Sequence, residues 1–219
     1  LRRYAPLLSG RSGVLLVTAS VGWAVVQTGR NLLAPLLPRV IDDLGITPFE
    51  AGLVLSTMGI VFAVLQYPSG ELSDQLSRKT LIVPGLALSA IGFGLIAVSP
   101  TYATLLLGAA IVGAGRAGFS IPSRALLSDR FADRRGQALG VFTMGSDAGG
   151  ALASGIAIVA LAVATWRAPF PVVGAALLVV LLGVHRWAPE PSVVRRARLE
   201  VRGTVARLTG QPRFRQVLL

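Results

Sequence analysis

Apolar residues along this chain gather into six long runs, Gly13–Pro38, Phe49–Ser69, Thr80–Val98, Tyr102–Leu127, Gln137–Thr165 and Pro169–Trp187, parted by short polar clusters. Each is close to or above the ~20 residues that a helix needs to cross a hydrocarbon core about 30 Å thick. The strict alternation of a membrane β-strand is absent, and the glycines inside every run suit helices that approach one another closely. The pattern predicts an all-α membrane protein of six transmembrane helices. Arg2, Arg3 and Arg11 give the first run the flank of a secretory signal. A signal's apolar core is about 7–15 residues, however, and this run persists to Leu37, so it reads as a retained first helix.

Composition agrees. Hydrophobic residues make up 53% of the chain and charged residues 14%, against about 25% charge in a soluble domain. A net charge of +11 would point to nucleic acid in a soluble protein. Here the charge is sorted by side. Arg78, Lys79, Arg124, Arg130, Arg134, Arg135 and Arg186, with the terminal arginines, fall on one side of a six-helix alternation, and Arg39 and Arg167 fall on the other. The positive-inside rule then places both ends of this segment in the cytoplasm and the protein in the cytoplasmic (inner) membrane. There is no cysteine, no His cluster, no acidic pair within the apolar runs and no G-x-x-x-x-G-K-[ST] loop. These absences argue against an enzyme, a metal or other cofactor, and ATP-driven transport.

Three charged residues stand well away from the ends of the runs, at membrane depth: Arg30, Arg116 and Asp147. Each costs about 2.5–3.5 kcal/mol on insertion scales, which makes them functional candidates. Trp23, Gln27 and Asn31 share a face with Arg30, forming a polar stripe with an aromatic edge. Arg30 either lines a central cavity, the favoured reading, or snorkels to the outer interface. Arg116, among Gly113, Gly115 and Gly118, has no such escape. It pairs structurally with Asp147, or it binds an anionic substrate that protonation of Asp147 would release it to hold. His185, at the cytoplasmic end of the sixth run, reads as an interfacial anchor.

The offset that carries Arg30 onto Arg116 also carries Gly29 onto Gly115, Asp43 onto Asp129 and Thr57-Met58-Gly59 onto Thr143-Met144-Gly145. A repeat of three helices, the second inverted relative to the first, is the plan of many secondary transporters, whose sites lie near the midplane.

The stretch GELSDQLSRK at Gly70–Lys79 resembles the loop signature of the major facilitator superfamily, G-x-L-a-D-r-x-G-r-[KR], through Gly70, Leu72, Asp74, Arg78 and Lys79. Ser77 and Gln75 depart from it. Gly145-Ser-Asp-Ala-Gly149-Gly150 is similar to the antiporter signature G-P-x-x-G-G, with Ser146 in place of Pro. The TWRAPF stretch at Thr165–Phe170 resembles the family's entry to its sixth helix. Arg116 lies about two turns beyond the Arg of the family's fourth helix and is not carried over as that residue.

The resemblance implies the N-terminal six-helix half of a twelve-helix carrier. Residues 1–187 would form the bundle, 188–212 a basic cytoplasmic linker lying on the inner leaflet or tethering the halves, and 213–219 the start of a seventh helix. The partners expected are a small-molecule substrate, the bilayer and the C-terminal half of the same protein, not nucleic acid. It also implies that Asp74, Arg78 and Lys79 form a cytoplasmic latch with Asp129 and Arg130, where the residues alone allow Glu71, Asp74, Arg78 and Lys79 to be solvated anchors at the membrane surface, and that Gly70, Gly145, Gly149 and Gly150 shape the moving helices. The expected function is secondary active transport of a small organic solute, anionic by the excess of buried Arg, by alternating access with proton coupling at Asp147. Proton-coupled drug or metabolite efflux is the alternative, and a non-transporting membrane scaffold is the alternative of another class.

Overall fold

The computed structural model describes residues 7–163 and 165–187. The basic linker and the start of a seventh helix, expected over 188–219, lie outside the described residues. Six helices account for nearly all of the rest: α1 Gly10–Leu44, α2 Pro48–Gln75, α3 Arg78–Ala97, α4 Tyr102–Arg130, α5 Arg135–Val163 and α6 Pro169–Trp187. All six are long and apolar enough to cross a membrane, and there is no strand among the described residues.

α1, α2 and α4 run past the ends of the apolar runs that announce them, and local signals set where they stop. α1 continues through Pro35, Pro38, Arg39, Asp42 and Asp43, ending where Gly45 takes a left-handed φ of 61° that other residues adopt reluctantly. Thr47 then caps α2, its hydroxyl accepting from the Glu50 amide while the Glu50 carboxylate accepts from the Thr47 amide. Thr101 and Thr104 cap α4 in the same reciprocal way.

One expectation needs correcting. Gly70–Lys79 is not a loop of that length: Gly70, Glu71 and Asp74 belong to the last turns of α2, and Arg78 and Lys79 open α3. Only Leu76 and Ser77 connect the two helices. The polar composition marks the membrane boundary rather than the end of the helix.

Packing follows the repeat. α1 lies along α5 while α4 lies along α2, and α3 and α6 meet each other behind them. α3 packs most extensively on α4. There a Cβ on Gly85 would stand 2.5 Å from the carbonyl carbon of Gly118, so only glycine permits the approach. The outward faces carry Ile60, Val64, Ile91, Ile158, Val172 and Val179, all exposed as residues facing lipid would be. α2 and α5 are the least buried helices, leaving their flanks open.

Candidate functional site

Mid-membrane, α1, α4 and α5 are joined by a chain of polar side chains. Arg116 of α4 is 5% exposed. Its Nη2 donates to Oε1 of Gln27 at 3.1 Å, and Nε2 of Gln27 donates to Oγ of Ser146 on α5 at 3.1 Å. The amide is thereby fixed in orientation: its oxygen faces the cation and its NH2 faces a hydroxyl able to accept. Aromatic rings complete the seat. The guanidinium carbon lies 4.4 Å from the ring centre of Phe62 on α2 and 5.8 Å from that of Trp23 on α1. Trp23 is itself held by stacking on Phe142 at 5.8 Å.

Two glycines place Ser146 within reach. A Cβ on Gly145 would stand 2.5 Å from the Ser20 carbonyl oxygen, and one on Gly149 would stand 2.2 Å from that of Ala24. α5 therefore rests directly on the α1 backbone, where Thr28 Oγ1 donates to the Gly149 carbonyl at 3.0 Å. Gly150 faces the Asn31 amide, 3.1 Å from where its Cβ would be.

The residues singled out in the sequence do not all converge. Trp23, Gln27 and Arg116 form one unit. Arg30 is exposed, donates to Oδ1 of its neighbour Asn31 at 3.1 Å, and is close enough to act electrostatically on Arg116. The structural alternative for Arg116, a pair with Asp147, is not what the fold builds. Asp147 is exposed and forms no ion pair among the described residues, because it stands on the side of α5 turned away from α1. Nε of Arg116 is buried without a hydrogen-bond partner, and neither Arg30 nor Arg116 meets a carboxylate among the described residues.

At the basic end of the bundle, the charged residues of the α2–α3 turn do converge. Arg78 donates to Asp74 at 2.9 Å, to Asp129 of α4 at 3.3 Å, and to the Ser73 carbonyl. Lys79 donates to the His185 carbonyl at 2.7 Å. The placement has an electrostatic reason. Asp74 and Asp129 sit in the last turns of α2 and α4, where a helix already presents its negative end, so a cation between them relieves both. Gly70 lies at the α2–α4 contact, where an added Cβ would stand 3.9 Å from Cγ2 of Ile121. Arg130 forms no ion pair there.

Sequence reasoning missed Phe62, which carries no signal beyond being one more apolar residue of α2. It also missed Ser146 as a hydrogen-bond partner: the departure from G-P-x-x-G-G was visible, but not that it faces Gln27.

Known proteins resemble this chain in sequence and in fold. Residues 19–219 match the family model described as Major Facilitator Superfamily. The bacillibactin exporter of Bacillus subtilis is 30% identical over 99 residues, covering 43% of this chain and 25% of that protein. The quinolone resistance protein NorA of Staphylococcus aureus is 29% identical over 98 residues, 45% of this chain and 25% of that protein. Among solved structures, a bacterial homolog of the human lysosomal transporter Spinster, inward-facing and unoccupied, superposes with a TM-score of 0.73 at 19% identity, over 87% of this chain and 46% of that one. The match thus spans about a quarter of those curated relatives and just under half of that solved structure.

Proposed function

Because the chain belongs to the Major Facilitator Superfamily, a family of membrane carriers rather than enzymes, we propose that it forms one six-helix bundle of a secondary active transporter for a small organic anion. The protein is a multi-pass membrane protein. In this reading it lies in the cytoplasmic membrane with the α2–α3 turn facing the cytoplasm, as the sidedness of its arginines favours. A second six-helix half of the same protein closes the other wall of the central cavity.

The observation that carries the substrate class is the arginine pair. A buried guanidinium without a carboxylate partner among the described residues keeps a positive potential, and the exposed guanidinium of Arg30 on α1 is close enough to add to it. An anion is the ligand such a site stabilises most, because in low dielectric its attraction is weakly screened. Arg116, seated by Gln27, Phe62 and Trp23, supplies a fixed positive charge. Arg30, beside Asn31, is the mobile, ligand-facing cation. Alternating access then exposes this pair to each side in turn, with Asp74, Arg78, Lys79 and Asp129 gating the cytoplasmic end. Asp147, exposed on α5, is the proposed proton carrier, acting through the cavity rather than by direct contact with Arg116.

A second reading, proton-coupled efflux of drugs or metabolites, is favoured by the relatives, which include an exporter and a quinolone resistance protein. One experiment separates the two. The full-length protein in detergent is heated with matched panels of organic anions and lipophilic cations, alongside Arg116→Met. Stabilisation by an anion that disappears in the variant supports the anion carrier. Stabilisation by cations that survives in the variant moves efflux of cationic drugs to first place.

A further inference from the structure

The end of the bundle opposite the α2–α3 turn carries a charge cluster that the function above does not use. Arg167, between α5 and α6, donates to Oδ2 of Asp43 in the last turn of α1, and its Nη2 donates to the Ser99 carbonyl, just past α3, at 2.8 Å. Trp166 adds a donation from Nε1 to the same Asp43 oxygen at 3.2 Å, and the guanidinium lies 4.2 Å from the Trp166 ring centre. One cation therefore ties together α1, α3 and the entry to α6.

The internal repeat explains this cluster residue by residue. The offset that carries Arg30 onto Arg116 carries Asp43 onto Asp129 and Ser99 onto His185. Asp129 and the His185 carbonyl are the acceptors that Arg78 and Lys79 hold at the other end. Arg167 stands within a turn of the position to which that offset carries Arg78. Each end thus repeats one arrangement. A cation at the entry of the third helix of one repeat holds the carboxylate ending the first helix, and a carbonyl ending the third helix, of the other repeat. Both acceptors are negative features of helix C-termini that need a cation or a donor in any case.

We infer that Asp43, Trp166 and Arg167 form a second clasp, equivalent by the repeat to the one built on Arg78 and Lys79, which fastens the two three-helix repeats together at the opposite end. With both clasps closed the six helices turn as a single rigid body. With the second open, α1 and α3 part from α6 at that end alone. The two are built differently. The basic-end clasp divides its acceptors between two cations and includes a further acid, Asp74. The opposite one relies on a single guanidinium braced by an indole, so a single substitution dismantles it.

These 219 residues hold no cysteine, so labelling is read in full-length protein in which every cysteine outside them is replaced by serine. In the full-length protein, single reporters are introduced as Ala97→Cys, buried beside the second clasp, and Val184→Cys, buried beside the first. Their reaction with a small maleimide in detergent is timed. Arg167→Ala is expected to speed labelling at position 97 by about tenfold and leave position 184 unchanged, since local opening exposes only what the clasp covers. Arg78→Ala combined with Lys79→Ala is expected to do the reverse. Arg167→Lys, which keeps the charge but loses the fork, is expected to fall between, and it serves as the working variant if Arg167→Ala does not fold. The exchange Asp43→Arg with Arg167→Asp is expected to return labelling at position 97 toward the parent rate. Unchanged labelling at position 97 in Arg167→Ala, or equal acceleration at both reporters, would overturn the inference.

Discussion

Arg30 and Arg116 occupy the same place in the two repeats and end in opposite surroundings. Arg116 is buried against Gln27, Phe62 and Trp23. The repeat-related positions that should surround Arg30 are Gly113, Ala148 and Ala109. Where one arginine has an amide and two rings, the other has two methyl groups and a hydrogen. Arg30 accordingly stays exposed, with Asn31 as its one side-chain partner among the described residues. An inverted repeat thus supplies two equivalent backbone positions, and the side chains of the facing repeat decide which cation is buried and fixed and which stays exposed. The glycines show the same divergence. Gly145 is pressed onto the α1 backbone, whereas its repeat partner Gly59 has nothing within 4 Å of a built Cβ.

The sharpest way to break the comparison is to neutralise each arginine in turn. Arg116→Met should weaken binding of a stabilising anion about thirty-fold or more, because truncating one partner of a buried charge pair costs 2 kcal/mol and upward. It should not lower the thermal midpoint of the unliganded protein, since it also removes an uncompensated buried charge. Arg30→Met should weaken the anion about fivefold, the smaller loss expected at a more exposed, better solvated site. Equal losses would mean that the difference in burial carries no functional weight.

Gly145→Ala tests the packing side of the comparison. The added methyl meets the Ser20 carbonyl and should destabilise by about 1–3 kcal/mol, read as a lower midpoint in detergent. Gly59→Ala should be neutral or slightly stabilising, since alanine is the better helix former by up to about 1 kcal/mol. A comparable loss at both positions would show that Gly59 also meets a neighbour, one outside the described residues.

Gln27→Leu addresses the seat of Arg116. It removes the acceptor of the guanidinium and the donor to Ser146, with an expected loss of about 1–3 kcal/mol for the polar groups left unsatisfied. Ser146→Ala should cost less, about 1 kcal/mol, because Arg116 keeps its acceptor. The smallest effect on stability is expected for Asp147→Asn, within about 0.5 kcal/mol for an exposed side chain without an ion pair. Its effect on transport should nevertheless be large. Accumulation driven by a pH gradient in vesicles should fall to background, and retained accumulation would remove Asp147 as the proton carrier.

Sequence periodicity determined the membrane class, the six helices and the internal repeat. Hydrophobic length and glycine content are local properties that a bilayer reads without reference to fold. The polar segment around Asp74 and Arg78 was equally legible as a junction between helices, though its residues proved to be helix ends rather than a loop. Hydropathy reports the depth of a residue and not where hydrogen bonding along the backbone stops. The partner of Arg116 was not legible. Asp147 has the complementary charge at comparable depth, but complementarity along a line says nothing about which side of α5 faces α1. That rotation is set by Gly145 and Gly149 against the α1 backbone, which turns Ser146 toward Gln27 and Asp147 away. The clasp at Asp43 and Arg167 joins residues far apart in the chain, and only the antiparallel stacking of two repeats brings them together. A chain can specify helices one at a time, but a buried charge finds its partner only once the helices have chosen their faces.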